Sequence, residues 1–183
     1  MNEDPKTTNM HPRIAELVRY IDEQAAALRA AFEAVPPDRR AARPTPERWS
    51  PAEVVHHVTI VERRLVQRLR SVIDEARALP PEQDTSPILA TLRTTRAVDR
   101  TRRLVASSAA EPRDTDPTRV WDDFDETRRA LKDVITSGDG LALGAVFGPH
   151  PALGELNGYE WIAFAGAHAA RHAEQIREMS SGR

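Results

Sequence analysis

The 183-residue sequence predicts an all-α fold, a four-helix bundle, from three features. Four long segments carry apolar residues at alternating steps of three and four. Proline or good capping residues stand at most of their boundaries. No stretch shows the two-residue alternation of a half-buried strand, and no internal repeat is visible. Residues 1–11 are expected to be a disordered leader and residues 12–180 one bundle domain, a length that suits a single continuous core.

The first helix is expected to begin at Pro12, a favourable first helical position. Its stripe is Ile14, Leu17, Val18, Ile21, Ala25, Leu28, Phe32 and Val35, and Pro36-Pro37 ends it. The second has the strongest start in the chain. Ser50 is a cap, Pro51 follows it, and Glu53 completes a Ser-x-x-Glu capping box. Val54, Val58, Val61, Leu65, Leu69 and Val72 then face inward as far as about Leu79, before Pro80-Pro81. Residues 80–116 are poor in apolar side chains, with Ile88–Leu92 and Leu104–Val105 as anchors for short helical pieces. A connection this long lets the second and third helices run parallel. Asp116-Pro117 reads as cap and first residue of the third helix, whose stripe is Trp121, Phe124, Leu131, Val134 and Ile135. Ser137-Gly138 ends it, residues 138–157 read as a glycine-rich loop, and the fourth helix runs from about Gly158 to Met179.

Composition excludes several functions. There is no cysteine, so disulfides, thiolate metal sites and a cysteine nucleophile are ruled out. The net charge of −2 gives no electrostatic reason to expect a nucleic-acid or anionic-membrane partner. The cluster Arg63-Arg64-Leu65-Val66-Gln67-Arg68-Leu69-Arg70 reads as a solvated helix face, since acidic residues elsewhere balance it. No secretory signal or membrane-length apolar run is present, which suits a cytoplasmic protein. Arginine supplies nearly all the basic charge, lysine occurring only as Lys6 and Lys132, and with abundant alanine this suggests a high-GC bacterial source.

The chemistry concentrates in the histidines. On the fourth helix His168 and His172 stand one turn apart, inside the apolar stripe of Trp161, Ala165, Ile176 and Met179. Two inward imidazoles either find buried hydrogen-bond partners or hold a metal ion. A helical wheel of the second helix puts His57 at the edge of its apolar arc and His56 almost opposite, toward solvent, so His57 is the candidate third ligand. Three neutral imidazoles suit a borderline divalent metal and leave a coordination position open. Gln175 lies on the inner side, placed to support a ligand or to fill space. The other histidines have plainer readings: His11 an exposed helix-start residue, and His150 a turn residue rather than a ligand, with lining of the site entrance as the alternative. Glu53-x-x-His56 resembles half of a di-iron motif, but there is no second Glu-x-x-His and Glu53 is already a cap, so di-iron is rejected. No His-Glu-x-x-His or phosphate-binding loop occurs.

Trp49-Ser50-Pro51-Ala52-Glu53-Val54-Val55-His56-His57 and His168-Ala169-Ala170-Arg171-His172-Ala173-Glu174-Gln175-Ile176 resemble the two signatures of the DinB-like (DinB/YfiT) metalloprotein superfamily. His150-Pro151-Ala152-Leu153-Gly154 followed by Glu160-Trp161 is similar to one large branch of it. The resemblance implies an up-down-down-up bundle with a long crossover between its second and third helices. It also implies a divalent metal, zinc or nickel with iron or manganese as alternatives, on His57, His168 and His172. It further implies a small-molecule enzyme such as a thiol-dependent S-transferase, whose partner is a low-molecular-weight thiol. Metal-dependent hydrolysis and a non-enzymatic metal-stabilised stress-response bundle are the alternatives. Dimers are common among similar proteins, so a homodimer is an expected state. No general base stands out.

Overall fold

In the computed structural model, which describes residues 10–93 and 108–180, four helices pack as the sequence predicts: α1 (Pro12–Glu33), α2 (Pro51–Ala76), α3 (Val120–Ser137) and α4 (Gly158–Ser180). Residues 1–9 of the expected leader and the anchor Leu104–Val105 lie outside the described residues. The α1 side chains Ile14, Leu17, Ile21 and Leu28 are fully buried, which confirms its stripe. At the start of α2 both halves of the capping box form. Glu53 N–H donates to Ser50 Oγ (3.2 Å), and Ser50 N–H donates to the Glu53 carboxylate (2.8 Å).

Side-chain contacts fix the direction of every helix. Lys132 pairs with Asp22 and Arg29 with Asp125, so α1 and α3 are antiparallel. Arg63 bonds Thr127, and Ile73 lies against Gly138, so α2 and α3 are parallel. His57 meets His172 while Val72 lies against Gly158, so α2 and α4 are antiparallel. Arg13 lies over Tyr159 and Tyr20 against Gly166, so α1 and α4 are parallel. The bundle is up-down-down-up, and the parallel α2–α3 pair needs the long crossover.

The crossover is pinned where it leaves α2. Arg13 pairs with Glu82 (3.1 Å) and Asp84, and Tyr159 Oη donates to Glu82 (3.0 Å). Ile88 and Leu92 enter the core around a short 3-10 turn, Leu89–Thr91.

Three expectations change. The loop 138–157 contains a hairpin of β1 (Phe147–His150) and β2 (Gly154–Asn157), antiparallel, with Gly148 opposite Leu156 and His150 opposite Gly154. Four-residue strands holding Gly148 and Pro149 are too short and irregular to show alternation, and Gly154 turns the chain at φ +79°. The α3 helix starts at Val120, because Asp116 instead caps a turn by accepting from Thr118 N–H (2.9 Å). Helix α2 stops at Ala76, and residues 77–79 form a turn.

The core divides into two apolar clusters. One gathers Ile14, Ile21, Leu65, Leu69, Leu131, Ile135 and Ile162; the other gathers Leu28, Phe32, Val54, Val58, Phe124, Ala169, Ala173 and Ile176. Between them in sequence, on three helices, sits a buried polar layer. Glu62 on α2 pairs with Arg128 on α3, and Arg128 also donates to Ile21 O of α1 (3.1 Å). Burial pushes the Glu62 carboxyl up to about 7, and Arg128 pulls the other way. A raised folded-state pKa means that this group stabilises the fold at low pH and ceases to do so as pH rises through about 7. Arg128→Met should therefore cost about 3–5 kcal/mol at pH 8, where it strands a buried carboxylate. The cost should shrink toward pH 5, where Glu62 takes up a proton, and Glu62→Gln should recover much of it. Urea denaturation of the single and double variants measures this, and a pH-independent penalty would contradict it.

Candidate metal centre

The second apolar cluster carries the site. Helix α2 brings His57 to the α4 surface about two turns after its capped start, between Val54 and Val58, which are fully buried. Helix α4 presents His168 and His172 between Ala165, Ala169 and Ala173, whose small side chains leave room for imidazoles. The three candidate histidines come together, and one ring nitrogen from each lies within 4.8 Å of the others. His57 and His172 are buried, and His168 is partly buried with its Nδ1 sealed from solvent.

Hydrogen bonds set the tautomers. His57 Nδ1 lies 2.7 Å from Ala110 O, an atom that only accepts, so the proton sits on Nδ1 and Nε2 keeps its lone pair. His172 Nδ1 likewise donates to Gln175 Oε1 at 2.8 Å, in keeping with the first of the two roles read for Gln175 from sequence. His168 Nε2 lies 3.1 Å from His172 Nε2, and its Nδ1 has no partner among the described residues. Without a cation, this contact holds only if His168 carries its proton on Nε2 and donates to His172. With a cation, the proton belongs on Nδ1 and both lone pairs face the ion.

Burial favours the neutral form of His57 and of His168. Desolvation lowers the His57 pKa, outweighing the Ala110 hydrogen bond that raises it. It takes His168 well below the usual histidine value, helped by the neighbouring His172 and His57. Imidazoles with converging inner lone pairs, two of the three with their outer nitrogens tied, are the donor set a borderline divalent ion takes. The residues fit such an ion.

Aromatic rings wall the site. Trp49 lies 4.8 Å from His57 and Phe164 lies 5.3 Å from His168, centroid to centroid. The Ala110 carbonyl was not foreseen, because a backbone acceptor from a long connection leaves no side-chain pattern. Trp49 had a signal in its fixed spacing before His57.

The remaining histidines stand apart. His56 is half-buried and bonds Thr115 Oγ1 (2.8 Å) on the crossover. His150 is a turn residue as read, with Nδ1 accepting from Ala152 N–H and Leu153 N–H. His11 is partly buried rather than exposed, because its amide bonds Asp139 and its Nδ1 caps Arg13 N–H. Arg63, Arg64 and Arg70 are exposed, as expected of a solvated face. A cleft of about 280 Å³ opens at the start of α2, lined by Arg43, Ser50, Glu53 and Thr115, and none of the three clustered histidines lines it. Among the described residues no helix is long and apolar enough to cross a membrane.

Long-range ¹H–¹⁵N correlation on chelator-treated protein at pH 7 should show His57 and His172 as neutral Nδ1–H tautomers and His168 as Nε2–H. An Nε2–H tautomer at His57 would remove the converging lone pair and with it the site.

A Bacillus subtilis (strain 168) protein, the uncharacterized YuaE, is 27% identical over 139 residues, covering 75% of this chain and 80% of that protein. No solved structure matches the chain. The family model of the DinB superfamily matches residues 4–176, nearly the whole length, and the chain belongs to the DinB superfamily.

Proposed function

We propose that this protein binds one divalent metal ion through Nε2 of His57, His168 and His172 and uses it on a small molecule, as a thiol-dependent S-transferase. The observation that carries the metal reading is the pair of outer hydrogen bonds, His57 to Ala110 O and His172 to Gln175 Oε1, which aim two unprotonated nitrogens at one point. Zinc and nickel suit the all-imidazole set best, with iron and manganese next. When bound, a divalent ion on three neutral ligands keeps its full charge and acidifies a thiol or water at its open position.

The chain's own residues supply the rest. Trp49 and Phe164 give the site apolar walls that exclude water, which strengthens charge interactions inside. The chain has no cysteine, so the sulfur of a transfer reaction must come from a small-molecule thiol. In the overall reaction the thiol loses its proton, a carbon–sulfur bond forms, and the electrophile's leaving group departs with the bonding pair.

A second reading has a specific observation behind it. The described cleft is not lined by the clustered histidines, which suits a buried metal that stabilises a non-enzymatic bundle. The two readings separate experimentally. Calorimetry should give one metal per chain, with binding lost in His57→Ala, His168→Ala and His172→Ala. Gln175→Leu should retain binding at roughly 10–100-fold lower affinity. Helicity by circular dichroism should survive His168→Ala, since the apolar stripes still drive packing. Metal-loaded protein incubated with bacillithiol, mycothiol or glutathione and a model electrophile should then show a rate that His57→Ala lacks. Global unfolding of His168→Ala together with no rate for any thiol would favour the structural metal. Activity on esters or amides without thiol would make the enzyme a hydrolase.

A further inference from the structure

We infer that Arg68, Trp161 and His150 form a binding subsite for a small oxyanion, of the carboxylate or phosphate type, about two turns of α4 from the histidine cluster. As an anchor for a substrate it rests on the metal reading above; as an anion site it does not.

Three elements converge there. Arg68 comes from α2, Trp161 from α4 and His150 from the hairpin. The Arg68 guanidinium carbon lies 5.8 Å from the Trp161 ring centre, and the His150 and Trp161 rings are 5.2 Å apart. Every polar group they bring is a donor. Arg68 donates to Phe147 O (3.2 Å), but its Nε is buried without a partner, and no carboxylate lies within ion-pair distance among the described residues. Trp161 is 8% exposed, and its Nε1–H is also buried without a partner. His150 Nδ1 accepts from Ala152 N–H (3.1 Å) and Leu153 N–H (3.2 Å), so the proton of the neutral ring is on Nε2, a third donor. The adjacent carboxylate, Glu160, is engaged by Arg93 (2.7 Å) and Asn157 N–H (2.9 Å) and does not neutralise Arg68.

A half-buried cation with buried, unmatched N–H groups beside it is costly, and natural structures meet that cost with an acceptor. An oxyanion supplies several acceptors and a compensating charge at once. Arg68 is also seated on purpose-built backbone. A Cβ on Gly148 would lie 1.6 Å from Arg68 Nη2, so only glycine in β1 lets the guanidinium lie there.

The placement relative to the histidines gives the subsite its use. Trp161 and His168 lie seven residues apart on α4, about 10 Å along the axis. Phe164 lies between them, 6.3 Å from Trp161 and 5.3 Å from His168. A small molecule with an anionic group at one end and its reacting group about 10 Å away spans this face.

The test uses chelator-treated full-length protein, so that it stands apart from the metal reading. Succinate and inorganic phosphate are titrated separately while the indole N–H signals are followed by ¹H–¹⁵N NMR, with Trp161 assigned from Trp161→Phe. The Trp161 signal should shift saturably with one of the two anions, and those of Trp49 and Trp121 should stay in place. Arg68→Met should weaken binding roughly tenfold or more, the scale of a lost charge-assisted hydrogen bond. Gly148→Ala keeps every charge and donor but displaces the guanidinium, and should weaken it too if circular dichroism shows the fold intact. No saturable Trp161 shift with either anion, as when ordered water alone satisfies these donors, would overturn the proposal. So would equal affinity in Arg68→Met and Gly148→Ala. A negative result here with normal metal binding leaves the metal reading standing.

Discussion

The close approach of α4 to both α1 and α2 is the constraint on which the rest of the structure depends. Ala163, Ala165, Ala167, Ala169 and Ala173 are all at most 1% exposed, and none carries a side chain long enough to hold the neighbouring helices away. On the α1 side the fit is tighter still, since a Cβ on Gly166 would lie 2.4 Å from the Tyr20 ring. Small residues in the stripe make α4 the thin central helix of the bundle. Space not used by side chains becomes space for imidazoles. Larger aliphatic residues at the same positions would bury more apolar surface, at about 25 cal/mol per Å², and would close the site.

This packing also explains the topology. His57 faces His168 and His172 from an α2 that runs antiparallel to α4, and α3 beside it runs parallel to α2. The long crossover that follows is held by ionic and hydrogen-bond contacts rather than by a large core: Glu82 to Arg13 and Tyr159, and the Ile88 and Leu89 amides to Glu16. Among the described residues it contributes the Ala110 carbonyl to the site, which fixes the tautomer of His57. A segment with little apolar content thereby has a defined structural task.

Much of this was legible in the residues, for a physical reason. Helix stripes and caps are local, so Pro12, Ser50, Glu53, Gly138 and Gly158 mark boundaries that the structure keeps or shifts by a few residues. The choice of His57 over His56 followed from a 100° rotation per residue, and burial separates the two as that rotation requires. What could not be read depends on contacts distant in sequence. Glu62 looks like any polar residue of α2 until Arg128 of α3 and the carbonyl of Ile21 appear beside it. The hairpin was missed because its pairing lies in backbone geometry, with Pro149 and two glycines hiding the alternation. Arg68 was read as part of a solvated basic face, although the hairpin half-covers it.

The polar groups of the interior fall into two kinds, and the difference separates structure from chemistry. Glu62 and Arg128 answer each other in charge, so the layer between the apolar clusters demands no ligand ion, although Glu62 Oε2 and Arg128 Nε have no hydrogen-bond partner among the described residues. The histidine cluster is not answered in this way. Two of its rings have their outer nitrogens tied, while the inner nitrogens of His168 and His172 face each other at 3.1 Å. A single shared proton satisfies that contact at the expense of His57, whose lone pair then meets no donor. A cation satisfies all three at once. A core that needed only polar satisfaction would not have to place three such nitrogens together in an otherwise apolar cluster, where each desolvated ring costs stability. The unmatched acceptors of this cluster and the unmatched donors around Arg68 are opposite in sign and lie on one face of α4. That pairing is the electrostatic pattern expected of a site built for a cation at one end and an anionic group at the other.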